Sequence, residues 1–221
     1  MGVTSPQSYH AEELRIALSA DHPAKSLPPL GPSHRRVLDV GCGAGQTLIA
    51  SALAAGRESF GVDVDASALA LGRTYSADLR LTCASGEALP FRDATFDLVI
   101  CRVALPYMHV ATALGEMSRV LRPGGDIWLV IHPFRMAVSW AWGSLRRGGL
   151  KAAAYRCFVI FNGLVLHLTG RQFPAPLGRI RWETFQTRRA MRRALHGAGF
   201  EDVRFERGRR FHFAVTARRR P

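Results

Sequence analysis

An α/β fold built on a doubly wound, mostly parallel sheet of seven strands is what this sequence predicts, and three observations predict it. Between residues 36 and 131 short apolar runs alternate with segments of helical spacing, the pattern of a parallel sheet wrapped by helices through right-handed crossovers. One run, Val37-Leu38-Asp39-Val40, leads straight into Gly41, Gly43 and Gly45 and then into a helical stretch, as a buried strand, a tight turn and a helix start. Near the end of the chain, residues 203–207 and 211–217 read as an antiparallel hairpin.

Taken in order, residues 8–20 have helical spacing with Glu12 and Glu13 near the start. Pro23, Pro28, Pro29, Pro32 and Gly31 make residues 21–33 a linker. Strands are expected at about 36–40, 58–63, 79–83, 96–101 and 126–131, and helices at about 46–55, 66–77 and 110–121. Residues 85–91 form a turn that tucks Leu89 and Phe91 against the core. Pro123 forbids continuation of the third of these helices, and Gly124 and Gly125 permit the reversal into strand five.

A further helix is expected at 188–198, ended by Gly199. The chain reads as a single domain over 1–221. It comprises an N-terminal helix and linker (1–34), a ligand-binding core (35–133), a helical insertion after strand five (134–183), and a C-terminal helix and hairpin (184–221).

In the insertion, residues 137–142 are aromatic and apolar, and 152–168 are apolar on nearly every face. Such a helix belongs inside a protein or in lipid. It is short and interrupted for a membrane span, and its flanks are basic (Arg146, Arg147, Lys151, Arg171). A lid over an apolar substrate pocket, packing or a homodimer contact, and docking on a membrane surface all fit this pattern.

The net charge of +13 is uneven: residues 1–132 carry 11 Lys/Arg against 13 Asp/Glu, and residues 133–221 carry 19 against 4. That asymmetry predicts an acidic partner for the basic 134–221 part, RNA or an anionic membrane surface. An arginine-rich composition (28 Arg to 2 Lys) explains it equally well. No signal-peptide pattern opens the chain, and Cys42, Cys83, Cys101 and Cys157 form no C-x-x-C pair. A cytoplasmic protein with free thiols, peripheral at the membrane if the insertion docks there, is expected.

The glycine turn leaves N–H groups facing the crevice at the carboxyl edge of the sheet, where nucleotide-like ligands bind. Its spacing, G-x-G-x-G, is not that of a dinucleotide pyrophosphate turn. Asp63, closing the second strand in Gly61-Val62-Asp63, lies 20 residues after Gly43, near the spacing at which an acid accepts hydrogen bonds from ribose hydroxyls. A nucleoside site follows.

Five stretches in order carry a resemblance: residues 39–45, Gly61-Val62-Asp63, Glu87-Ala88-Leu89-Pro90-Phe91, Phe96-Asp97, and Arg119-Val120-Leu121-Arg122-Pro123-Gly124-Gly125. Together they resemble the motifs of class I S-adenosylmethionine-dependent methyltransferases, whose sheet is Rossmann-like, and especially the group that includes the ubiquinone/menaquinone C-methyltransferases. The resemblance spans about 35–133, with a weaker return at 186–217.

It implies S-adenosyl-L-methionine as cofactor. Asp39, Gly41, Cys42, Gly43 and Gly45 would line its methionine end. Asp63, with Val64 beside it, would bind the ribose, and Ser85, Gly86 and Glu87 would lie by the adenine. Cys101 and Arg102 would border the reactive methyl group. Ser85 stands where the family usually has an acid, and Pro106 where it often has a histidine.

Methyl transfer from a sulfonium needs donor and acceptor in line and water excluded, and a general base only where the acceptor loses a proton. Tyr107, His109 and His132 are the candidate bases at strand ends, and each can equally be a hydrogen-bonded structural residue. The Asn/Asp-Pro-Pro-aromatic stretch and the Pro-Cys pair of nucleic-acid base methylation are absent. The expected substrate is a small, largely apolar or aromatic molecule. The alternatives are an RNA methyltransferase that uses the basic C-terminal part and a catalytically silent adenosylmethionine-binding protein.

Overall fold

The computed structural model describes residues 6–146, 149–175, 182–207 and 213–221. Its sheet has seven strands in the order β3-β2-β1-β4-β5-β7-β6. β1 (Arg36–Val40), β2 (Glu58–Asp63), β3 (Arg80–Cys83), β4 (Phe96–Arg102) and β5 (Leu121–Ile131) run parallel, β7 (Phe213–Arg219) adds antiparallel to β5, and β6 (Phe200–Arg207) adds antiparallel to β7 at the edge. Central β1 is apolar because both of its faces are covered. Val37, Leu38 and Val40 are fully buried, and the strand delivers Asp39 and the glycine turn to the edge between β2 and β4. This is the switch in strand order at which ligands of open α/β sheets bind.

The helices are α1 (Pro6–Leu18), α2 (Gln46–Leu48), α3 (Ala66–Tyr75), α4 (Val110–Val120), α5 (Phe134–Arg146), α6 (Leu150–Thr169) and α7 (Arg188–Gly197). Asp65 caps α3, accepting hydrogen bonds from the N–H groups of Ser67 and Ala68, and Thr187 caps α7 through Ala190. The core on one side of the sheet gathers Phe96, Leu114, Met117, Leu121, Met191 and Phe200.

Three expectations change. The single helix expected at 46–55 is α2 followed by a π turn at Ile49–Leu53, inside which the Ser51 hydroxyl donates to the Thr47 carbonyl at 2.6 Å. β5 begins at Leu121, not 126, because Leu121 pairs with Phe96. The register then slips before Leu98 pairs with Asp126, so residues 122–125 are set out of the ladder where Pro123 has no N–H to give. The helix expected at 152–168 is α6, and it is not buried: its inner face packs on the protein and its outer face is exposed. The expected positions of Arg147 and of residues 211–212 lie outside the described residues.

Arg119, in the last turn of α4, pins the loop before β4. It donates to Glu116 and Asp93 and to the carbonyls of Leu89 and Phe91, while Glu116 accepts the Leu89 N–H at 2.8 Å. Hydrogen bonds to Glu116 and Asp93 raise the guanidinium's pKa further. Arg119→Met removes the donors for two loop carbonyls. It is expected to cost about 2 kcal/mol, a fall of about 4–8 °C in Tm on thermal denaturation. An unchanged Tm would show that the clamp contributes nothing.

Candidate active site

The glycine turn is held by β2. The N–H groups of Gly41 and Cys42 both donate to the Val62 carbonyl, at 2.8 and 3.0 Å. Gly41 has φ +75°, and a Cβ there would stand 2.2 Å from that of Ala104, so backbone conformation and space both require glycine. At Gly43, φ +54°, a Cβ would come within 3.0 Å of the His10 ring. The Gly43 N–H donates to Asp63 Oδ2 at 2.8 Å, and Asp63 Oδ1 accepts the Asp65 N–H at 2.9 Å. The turn and the carboxylate expected to act together are therefore in direct contact.

A cavity of about 1030 Å³ opens at this edge of the sheet. Among its lining residues are Asp39, Gly41, Cys42, Gly43, Asp63, Val64, Ser85, Gly86, Glu87 and Arg102, and also Tyr107 and His132. Asp39 is almost fully buried, and its Oδ1 has no hydrogen-bond partner among the described residues. Burial pushes its carboxyl up to about 7, with the Arg102 guanidinium opposing the shift and Asp63 adding to it. The Cys42 thiol is pushed well above its ordinary value by burial, Asp39 and Asp63. Glu87 accepts the His109 N–H at 2.7 Å.

Three assigned residues do not face this cavity. Cys101 is fully buried in the apolar core, its thiol pushed up to about 12 chiefly by burial. Successive side chains of a strand alternate between faces, so Arg102, not Cys101, reaches the crevice. Gly45 stands behind the turn, where a Cβ would meet Leu79 at 2.8 Å. His109 caps α4: its Nδ1 lies 2.7 Å from Thr112 Oγ1, and its ring packs edge-on against Trp182 with centroids 4.6 Å apart. The remaining two candidate bases form one aromatic chain, Tyr107 edge-on to His132 (5.8 Å) and His132 edge-on to Trp140 (5.4 Å).

Residues not singled out by sequence complete the cavity. Tyr9, His10 and Glu13 bring α1 over the glycine turn. Gln46 Nε2 lies 2.9 Å from His10 Nδ1, and Arg102 bridges Glu13 and Thr47. Trp140 comes from α5. Trp182 comes from an extended segment laced to the strand ends, where Thr184 N–H donates to the Pro106 carbonyl and Gln186 N–H to that of His132. Val103, also lining, is a β-branched residue at φ +56°, a strain of about 1–3 kcal/mol of the kind that gathers at functional sites.

Comparison with known proteins agrees with this architecture. Residues 38–129 match the family described as a methyltransferase domain. The chain is 33% identical over 106 residues to an uncharacterised methyltransferase of Bacillus subtilis, covering 45% of this chain and 42% of that protein. It is 37% identical over 102 residues to the ubiquinone/menaquinone biosynthesis C-methyltransferase UbiE of Burkholderia mallei, covering 43% and 42%. The matched stretch thus spans less than half the length of these relatives.

In fold, it is similar to an S-adenosylmethionine-dependent methyltransferase of Thermotoga maritima (TM-score 0.58, 14% identity, 97% of this chain and 91% of that one). It is also similar to one of Methanosarcina mazei (TM-score 0.58, 18% identity, 87% and 99%). Residues 38–129 thus match a methyltransferase domain, and the fold as a whole is shared with these two solved S-adenosylmethionine-dependent methyltransferases.

Proposed function

We propose that the protein transfers a methyl group from S-adenosylmethionine to a small, largely apolar or aromatic molecule. The observation that carries this is the composition of one cavity: acids and glycine backbone on part of its wall, and Tyr107, His132, Trp140 and Trp182 on another part. Its volume, about 1030 Å³, is at the top of the roughly 300–1,000 Å³ usual for single-ligand sites, which leaves room for donor and acceptor together. The quinone-pathway name of the UbiE relative favours an aromatic ring as acceptor.

The residues suit the cofactor. Asp39 Oδ1, without a partner among the described residues, is a buried acceptor ready for a cationic donor, and the glycine turn has space that side chains would fill. Asp39 and the backbone of Gly41–Gly43 would hold the methionine end, Asp63 the ribose hydroxyls, and Ser85, Gly86 and Glu87 the adenine side. The cofactor, when bound, supplies a methyl group already activated on sulfur. The protein's part is to place the acceptor against the aromatic wall, keep water out, and accept a proton at His132 when the acceptor has one to lose.

The test is calorimetric titration of S-adenosylmethionine followed by labelled-methyl transfer to a panel of phenolic and quinol acceptors. His132→Ala is expected to lower kcat about a hundredfold or more with cofactor affinity unchanged. Full turnover in that variant would remove the base role. Cofactor binding with no transfer to any aromatic acceptor would leave a silent binding protein or a larger substrate.

A further inference from the structure

We propose that the outward faces of α5 and α6 dock the protein on a bilayer bearing anionic phospholipids, with both helices lying in the plane of the membrane surface. The proposal goes beyond the methyl-transfer reading and does not depend on it.

Both helices are apolar on two sides. On α5, Met136, Ala137 and Ser144 are buried, while Phe134, Val138, Trp142 and Leu145 recur at helical spacing as one exposed stripe. On α6, Val159, Asn162 and Leu166 face the protein, and Phe161, Leu164 and Leu168 form an exposed stripe. Phe173 extends that stripe, its ring nearly parallel to Phe161 with centroids 6.3 Å apart. Trp142 is 55% and Leu168 67% exposed. Of the thirteen large apolar side chains exposed among the described residues, eight lie on these stripes, so the exposed apolar surface is concentrated here and not scattered.

The attachment of α6 fixes how it can meet lipid. Lys151–Thr169 is long and apolar enough by composition to cross a membrane. Its inner side is nonetheless tied to the protein. The Asn162 side chain exchanges hydrogen bonds with the Phe173 backbone at 2.8 and 2.9 Å, His167 Nδ1 lies 2.8 Å from Thr187 Oγ1, and Arg193 donates to the Leu166 carbonyl at 2.6 Å. A helix held along one flank in this way lies on a bilayer and does not span it.

Charge selects the occupant. Residues 133–182 contain no Asp or Glu, and Arg135, Arg146, Lys151 and Arg171 are exposed. The Arg146 guanidinium stands 5.1 Å from the Trp142 ring centroid, setting a cation beside an exposed aromatic. Glu183, the next acid along the chain, is buried and bound by Arg156 (2.9 Å) and Tyr155 (2.6 Å). A second copy meeting this face through the same face would set cations against cations with no carboxylate to answer them. RNA could stack on Phe134, Trp142, Phe161 and Phe173, but it would leave the aliphatic half of the stripes, Val138, Leu145, Leu164 and Leu168, without a partner. Anionic headgroups above an acyl boundary match both the charge and the aliphatic stripes.

Flotation of the full chain with phosphatidylcholine vesicles, alone and mixed with phosphatidylglycerol, tests this. Binding to the mixed vesicles is expected to be at least about tenfold stronger than to phosphatidylcholine alone. The combined variant Trp142→Ser, Phe161→Ser, Leu164→Ser should lose at least about tenfold of that binding while still titrating with S-adenosylmethionine. The variant Arg146→Gln, Lys151→Gln, Arg171→Gln should lose the preference for anionic lipid.

Absence of vesicle binding, or binding indifferent to both variants, overturns the proposal. So does a dimer in analytical ultracentrifugation that the serine variant dissolves, or salt-sensitive RNA binding that the glutamine variant abolishes, where vesicles are not bound. None of these readouts uses methyl transfer, so they stand or fall apart from the proposed activity.

Discussion

Asp63→Ala is expected to weaken S-adenosylmethionine binding at least about a hundredfold, measured by calorimetry. On the proposed reading the carboxylate accepts from two ribose hydroxyls, and two hydrogen bonds to a charged acceptor are each worth roughly 1.5–3 kcal/mol. The loss does not stop there. Asp63 also receives the Gly43 N–H at 2.8 Å and the Asp65 N–H at 2.9 Å, so alanine frees the glycine turn and the start of α3 together. Asp63→Asn keeps the shape and an acceptor oxygen but loses the charge, and it should fall between wild type and alanine. An alanine variant that binds as tightly as wild type would detach the cofactor from this turn.

The second large effect concerns Asp39, and it runs in opposite directions for stability and binding. The folded-state pKa, about 7, lies above the ordinary 3.8, so between these values the native state holds a proton that the unfolded chain has released. Stability therefore falls as pH rises from about 4 to 7, and the full cost, on the order of 4 kcal/mol at most, is present above that window. Asp39→Asn removes the charge. Its Tm should exceed that of wild type by several degrees at pH 8.5, with the difference shrinking towards pH 4 in thermal scans without cofactor.

Cofactor binding should show the reverse. Wild-type affinity should rise with pH through about 7 as the Asp39 carboxylate forms beside the cationic ligand. The Asn variant should bind about tenfold or more weakly at pH 8 and lack that rise. Equal stability of the two proteins at pH 8.5 would show that the buried carboxylate is not strained.

Much of this was legible in the sequence because the governing signals are local. Three apolar residues around Asp39, glycines at alternating positions and an acid twenty residues on fix a strand, a turn and a neighbouring strand end, and the sheet order puts them in contact. The residues that turn away from the cavity do so for local reasons too. Cys101 and Arg102 cannot both face the crevice of a pleated strand, and the apolar neighbours of Cys101 already marked its side as core. His109 stands at a helix start, where a side-chain acceptor is in demand, although histidine is not a usual cap.

The aromatic wall could not be read in this way. Trp140 and Trp182 are 42 positions apart, and Tyr9 and His10 lie far upstream. They meet the cavity only because α1 and the insertion fold back over the sheet, and no periodicity encodes such a contact.

The aromatic wall has two scaffolds. Tyr107 and His132 stand just beyond β4 and β5, on the same sheet of parallel strands that carries Asp39, the glycine turn and Asp63, whereas Trp140 and Trp182 arrive from segments added after β5. On the proposed reading, part of acceptor choice is a module. Grafting a different segment between His132 and Arg188 would re-specify what is methylated while the nucleoside grip and the base stay as they are, and the two parts of the catalyst could diverge at independent rates.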